Sequence, residues 1–320
     1  MAALTLLDIV KANGADAVTG LIDETVKAHP EMTVGTARTI KGTSYKTLVR
    51  TTLPTVGFRS ANQGTASTKG TYENRTVDTY FFNPRWEADV MVADSYEDGA
   101  ATYMGYEAEA MIEASNQLVC KQFYYGLAAS APSGYSDAKG FPGLIMAYDT
   151  TISVDAGGTT DSTASSVWAV KFGEKATQWV FGQNGQLAMA DIATQRILDA
   201  SNNPYTAYVQ EMRGHLGLQN GSKRTVGRIK KLTADAGKGL TDSLIAQLLA
   251  LFEVGVVPDV LFMSRRSRQQ LQLSRSVTIF SGMGSKATSA MENIAPTPTE
   301  SNGIRIEVTD SIANTELLAL

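Results

Sequence analysis

Residues 60–70 contain no large apolar side chain, yet they lie between two segments that alternate in the manner of β-strands, around Thr47–Arg50 and Val77–Phe82. Two strands joined by a connection of this length form a long hairpin, and its tip has nothing with which to bury itself. The segment therefore projects from whatever core the rest of the chain builds. Its charges are interspersed: Arg50, Arg59, Lys69, Glu73, Arg75, Asp78 and Arg85. Two readings fit this pattern, a solvated surface loop or an arm that pairs with another subunit.

The remaining chain supplies an ample core. It has 320 residues, 43% of them hydrophobic, which excludes a disordered chain. Only 19% are charged, below the usual quarter, which favours a chain that covers part of its surface with neighbours. A net charge of −4 gives no global attraction to nucleic acid. No run approaches the length of a membrane span, and the start Met1–Asp8 lacks the basic and apolar regions of a secretion signal. Synthesis in a reducing cytoplasm is expected from those absent signals, and one cysteine, Cys120, excludes an intrachain disulfide.

Short amphipathic pieces at Leu4–Ile9 and Ala17–Ala28, the second closed by Pro30, are too short to be stable alone and read as an arm. The strongest helical pattern spans 95–126. Ser95 and Asp98 fit a capping box, Tyr103, Tyr106, Ala110, Ala114 and Leu118 recur at helical spacing, and Gly126 provides the stop. Some thirty residues at ~1.5 Å each span about 45 Å, a spine rather than a domain-sized helix. A turn into a strand is predicted at Lys139–Ile145. Paired strands are predicted at Val167–Gly173 with Gln178–Gly182, and at Tyr205–Leu218 with Lys223–Leu232, the latter joined by Asn220 and Gly221. The last third alternates: a helix from Thr241 or Asp242 ended by Gly255, a buried strand Val260–Met263, a basic helix Arg265–Leu273, a strand Ile304–Val308, and possible pairing by Glu316–Leu320. The fold class is α+β.

Candidate chemistry is sparse. His29 and His215 lie in unrelated segments, His29 in an exposed-looking turn, and both read as structural imidazoles. Gly282-Met283-Gly284-Ser285-Lys286-Ala287 matches a dinucleotide fingerprint, but Pro296 and Pro298 interrupt it before a βαβ unit could form. Ser136-Asp137-Ala138-Lys139 matches S-x-x-K without its companion motifs. Arg265, Arg266 and Arg268 could touch phosphates, though so small a cluster is more simply a solvated helix face. Trp168, Trp179, Phe172 and Phe181 read as sheet core. No catalytic residue, cofactor or metal site is predicted.

The order of arm, hairpin, spine, sheet and α/β region resembles the major capsid proteins of tailed bacteriophages, with the Hong Kong 97-type fold. The resemblance is carried by Thr39–Pro54, Tyr72–Arg75, Asn83–Glu87, Lys121–Gly126, Lys139–Leu144, Trp168–Gly173, Gly227–Ile229, Pro258–Arg266 and Gly303–Ile312. It implies an N-terminal arm over 1–43 and an extended loop over 44–93. A peripheral domain would follow over 94–232, with the spine helix 95–126 and strands 167–232, and a mainly axial domain over 233–320. Many relatives close the peripheral sheet with a further C-terminal strand, which the resemblance does not locate here.

By the same resemblance the chain forms pentamers and hexamers of an icosahedral head enclosing double-stranded DNA, assembled in the bacterial host cytoplasm and found in the virion. Its partners would be itself, portal, scaffolding and decoration proteins, and packaged DNA through non-specific inner-surface contacts; no membrane is implied. Arg59, Lys69, Glu73 and Arg75 are the expected subunit contacts, and Lys69 is where a loop-borne cross-link would fall. Two alternatives remain: an encapsulin-like shell around protein cargo, and a nucleotide-dependent cytosolic enzyme built on Gly282-Met283-Gly284.

Overall fold

The computed structural model describes residue 13 and residues 23–280, 290–293 and 295–320. Helix α1 (Pro30–Val34) begins at Pro30 instead of ending there. A proline at the first helical position lacks only an N–H that would be unpaired anyway. Strand β1 (Ala37–Thr39) follows. Strands β2 (Ser44–Thr52) and β3 (Thr71–Asp78) then pair antiparallel from Ser44 with Asp78 to Thr52 with Thr71, forming the predicted hairpin. Strands β4 (Tyr80–Phe82) and β5 (Arg85–Asp89) leave it for a separate sheet.

Asp89 caps the short helix α2 (Val90–Ala93), its Oδ1 accepting from Met91 N at 2.8 Å. The spine is α3 (Ala100–Tyr125). The capping box expected at Ser95 does not form: Ser95 Oγ donates to Met91 O, and Gly99 at φ +88° breaks the backbone just before Ala100. Gly126 does end the helix. A Cβ there would lie 2.2 Å from Phe141 O and 2.6 Å from Gly143 N, so only glycine admits this backbone crossing. The strand predicted next is instead a single turn, α4 (Leu144–Ala147). Gly143 N donates to Gly126 O at the crossing, and Leu144 turns inward to full burial.

The middle of the chain supplies β6 (Ser153–Asp155), β7 (Ser165–Val170), β8 (Thr177–Phe181), β9 (Ala188–Met189), β10 (Ala193–Leu198), β11 (Pro204–Asn220) and β12 (Val226–Leu232). After these come α5 (Asp242–Ala250), β13 (Val260–Met263), α6 (Arg265–Arg275), β14 (Val277–Phe280), β15 (Ala290–Asn293), β16 (Glu300–Ser301) and β17 (Ile304–Val308). Thr241 caps α5, accepting from Leu244 N; the helix ends at Ala250, well before Gly255.

Two main sheets result. One runs β1-β8-β11-β10, with β4, β5 and β9 also on β11; the other runs β16-β17-β13-β7-β12-β6. The two predicted strand pairs are therefore wrong as pairs, though right as strands. β7 and β8 part company at Gly173 (φ +143°), leaving only a bridge from Phe172 to Thr177. Asn220 and Gly221 make no hairpin turn, because Gly221 N donates to Ala176 O and Ser222–Thr225 carry β12 alongside β7.

Every residue of β7 and β13 is buried. Trp168, Val170, Val260 and Phe262 face the end of the spine, packing with Phe123, Tyr124, Tyr125 and Trp179. Val167, Ala169, Leu261 and Met263 face the other way, onto Ile245 and Leu248 of α5 and Leu271 of α6. A sheet covered on both faces needs continuous apolar runs, which Val167–Val170 and Val260–Met263 supply.

Glu316–Leu320 adds no strand; Glu316 makes one bridge to Ala164 and plunges into the core. There Arg228 Nη2 meets Glu316 Oε2 at 3.1 Å, both side chains 1% exposed. Arg228 also donates from Nε to Ser166 Oγ (2.9 Å) and from Nη1 to Leu320 O (2.8 Å), and lies over the Trp168 ring. Tyr125 OH and Ser166 Oγ donate to the two Glu316 oxygens, at 2.5 and 2.6 Å.

Candidate assembly surface

The residues weighed for chemistry are occupied structurally. His29 is half-buried, not exposed, with Nε2 3.1 Å from Glu113 Oε1. His215 lies in β11 against the edge of Phe81, ring centres 4.9 Å apart. Ser136 Oγ accepts from Leu127 N. Arg265 pairs with Asp310, and Arg266 donates to the carbonyls of Thr163 and Leu232, so two of the three arginines considered for phosphate are held within the chain. Residues 282–287 lie outside the described residues. Among the described residues no group of three or more His, Cys, Asp or Glu is placed to hold a metal, and no helix is long and apolar enough to cross a membrane. Cys120 is a buried free thiol, its pKa pushed up by burial and by the nearby Glu31.

The hairpin is different: its root is fixed and its tip is bare. At the root, Tyr45 OH and Gln178 Nε2 both donate to Gln219 Oε1, while Gln219 Nε2 donates to Glu174 O and Arg38 stacks over Tyr45. Beyond β2, Leu53, Val56 and Phe58 are all exposed. The four expected contact residues do not form one cluster. Arg59, donating to Gln63 O at 2.8 Å, and Lys69 belong to the tip; Glu73 and Arg75 face each other at 3.7 Å along β3. Nine residues of β2 at ~3.3 Å each place the tip roughly 30 Å from the root, out of reach of its own body.

Sequence reasoning missed an acidic strip beside the hairpin, although its signal is plain. Residues 41–84 hold six cations (Lys41, Lys46, Arg50, Arg59, Lys69, Arg75) and two carboxylates (Glu73, Asp78). Residues 86–120 hold eight carboxylates, from Glu87 to Glu113, and no lysine or arginine. Of these, Glu87, Asp94, Glu97, Asp98 and Glu109 are exposed on β5, the turn after α2 and the spine. Charge changes sign at Arg85, where the hairpin meets the spine region. Beside this acidic strip a groove of about 390 Å³ opens between the hairpin root and α3, lined by Tyr80, Phe82, Met111, Leu118, Phe141 and Leu216.

The described residues of the N-terminal segment bond to the spine and to the turn before it. Asn13 Nδ2 donates to Ser95 O, Gln117 Nε2 to Thr25 O, and Lys27 N to Glu113 Oε1. Desolvation, the largest influence on the Glu113 carboxyl, raises its pKa, but hydrogen bonds from Gln117, Lys27 N and His29 together hold it below the usual range. The expected amphipathic piece over Ala17–Ala28 is not helical across 23–28, where the backbone of Thr25 and Lys27 bonds to side chains of α3 instead. Its first part lies outside the described residues, as does Leu4–Ile9.

A family model for "Major capsid protein GP7" matches residues 14–319. Among solved structures, the chain is similar to one from bacteriophage Epsilon15: 20% identity, 99% of this chain and 98% of that one covered, TM-score 0.70. It is also similar to the bacteriophage JBD30 capsid, with 10% identity, 97% and 99% coverage and a TM-score of 0.51. The holo-SrpI encapsulin complex of Synechococcus elongatus PCC 7942 is more distant, at 7% identity, 73% and 98% coverage and a TM-score of 0.46. No curated protein matches. The fold is that of the Hong Kong 97-type phage capsids.

Proposed function

The chain belongs to the major capsid protein GP7 family, and from that membership we propose that it closes an icosahedral bacteriophage head of pentamers and hexamers around double-stranded DNA. It is a structural protein of the phage capsid, located in the virion, and not an enzyme. The observation that carries the finer reading is the stranded hairpin: a basic arm with exposed Leu53, Val56 and Phe58 whose own body cannot cover it. Heterologous contacts around a ring require two different, complementary surfaces on every copy. The hairpin with Arg59, Lys69, Glu73 and Arg75 is one such surface, and the acidic strip over 86–120 is the other. Opposite fields of this kind steer association and fix register more than they add affinity.

In this reading residues 1–43 form the arm, 44–93 the extended loop, 94–232 the peripheral domain and 233–320 mainly the axial domain. Portal, scaffolding and decoration proteins would be further partners.

The expressed protein should sediment as large particles and appear as closed shells by negative-stain microscopy, with nucleic acid inside those recovered from infected cells. Shells loaded with an enzyme in place of nucleic acid would favour an encapsulin-like role. A solitary chain at high concentration with saturable nucleotide binding would overturn the proposal.

A further inference from the structure

Among the described residues of the N-terminal segment, Glu31 is the first to enter the core, and its side chain is fully buried. Oε1 accepts from Tyr124 OH (2.9 Å) and Thr309 Oγ1 (2.5 Å), which join the segment to the end of α3 and to the chain after β17. Its backbone oxygen accepts from Trp179 Nε1 at 3.1 Å. Gly35 allows that approach, since a Cβ there would lie 2.5 Å from the same Nε1. Oε2 is buried with no hydrogen-bond partner among the described residues. No lysine or arginine contacts this carboxyl among the described residues, so an ionised Glu31 would be an uncompensated buried charge, whereas a neutral one leaves a single hydroxyl unpaired. The second arrangement costs far less.

We propose that Glu31 is a proton-operated clasp for the N-terminal arm: neutral, it seats residues 23–35 against the spine; ionised, it lets them go. None of the groups facing it carries a charge. From α3 come Tyr124 and Cys120, both held protonated by burial. Thr309 and Trp179 carry no charge, and Asp310, next to Thr309, turns to Arg265. The contact of His29 with Glu113 lies about two turns before Cys120 on the spine. Desolvation raises the Glu31 carboxyl above the ordinary range, with the bond from Thr309 the largest influence opposing it. Docking is therefore fully stabilised below the ordinary carboxylate pKa and loses that contribution as pH rises through the higher docked value.

Hydrogen exchange of the full chain, read on peptides covering 23–35 and corrected for intrinsic rate, tests this between about pH 5 and about pH 9. Wild-type protection should fall by roughly tenfold per pH unit above the transition, as one-proton linkage requires, while peptides covering Val260–Met263 stay protected. E31Q, permanently uncharged, should give a flat profile; E31M, which fills the site without a donor, should be equally flat. A pH-independent wild type would overturn the clasp. So would an unchanged slope in both variants, which would place the titration on a group other than Glu31.

Discussion

A chain lacking residues 60–70 is expected to fold with the melting behaviour of the intact protein and to form no shells. The removed tip bonds only to itself and its immediate flanks, through Arg59 to Gln63 O and Thr68 Oγ1 to Thr55 O. It contributes no side chain to either core cluster. Surface changes of that kind shift stability by about 0.5 kcal/mol or less. Assembly should respond very differently, because the tip carries Lys69 and fixes where Phe58 and Arg59 are presented. An interfacial anchor worth about 3 kcal/mol changes association more than a hundredfold. Circular dichroism melts beside sedimentation and microscopy of the same sample separate the two effects. Normal shells from the deletion would sink the assigned role of the hairpin. Charge reversal (R59E with K69E) should weaken assembly in the same direction and be partly masked by salt, since exposed charges are screened beyond ~8–10 Å at ordinary ionic strength.

Breaking the buried ion pair should cost more stability than any surface change. R228M leaves the Glu316 carboxylate buried with only the hydroxyls of Tyr125 and Ser166, and it removes the donor to Leu320 O. An uncompensated buried charge of this kind costs about 3–5 kcal/mol. Removing both partners, as in R228M with E316Q, should cost much less than the sum of the single changes, because no bare charge remains. Urea unfolding of the four proteins completes the cycle. Additive losses would mean that Arg228 and Glu316 act independently, contrary to the 3.1 Å contact.

These two predictions also mark what a reader of the sequence can and cannot see. The hairpin was legible because an absence of apolar side chains between alternating segments has one mechanical meaning. The buried strand β13 was legible from its unbroken apolar run, and Val167–Val170 of β7 were legible as strand. Strand partners were not. Residues 165–170 and 177–181 are adjacent in sequence, but pairing is decided by what buries each face, and Trp168 and Trp179 approach the same aromatic cluster from different sheets. The start of the spine was misplaced because Ser95 and Asp98 satisfy a capping pattern that Gly99 overrides in the backbone. Glu31, Arg228 and Glu316 were invisible for another reason: a charged residue in an ordinary context looks superficial until its partners arrive from 93, 62 and 191 positions away. The acidic strip was readable all along, from eight carboxylates without one intervening cation.

Strand β11 crosses the whole of its sheet as one uninterrupted rod. Its outer stretch, Pro204–Val209, is bonded to β10, and its far end, Leu216–Asn220, to β8; Gln219 there grips Tyr45. A load applied to the β10–β11 ribbon thus reaches the pivot of the projecting arm through covalent backbone alone, with no loop to absorb it. Tilting one end of this beam obliges the other to follow, so strain at the rim of a subunit is felt as a change in where its arm points.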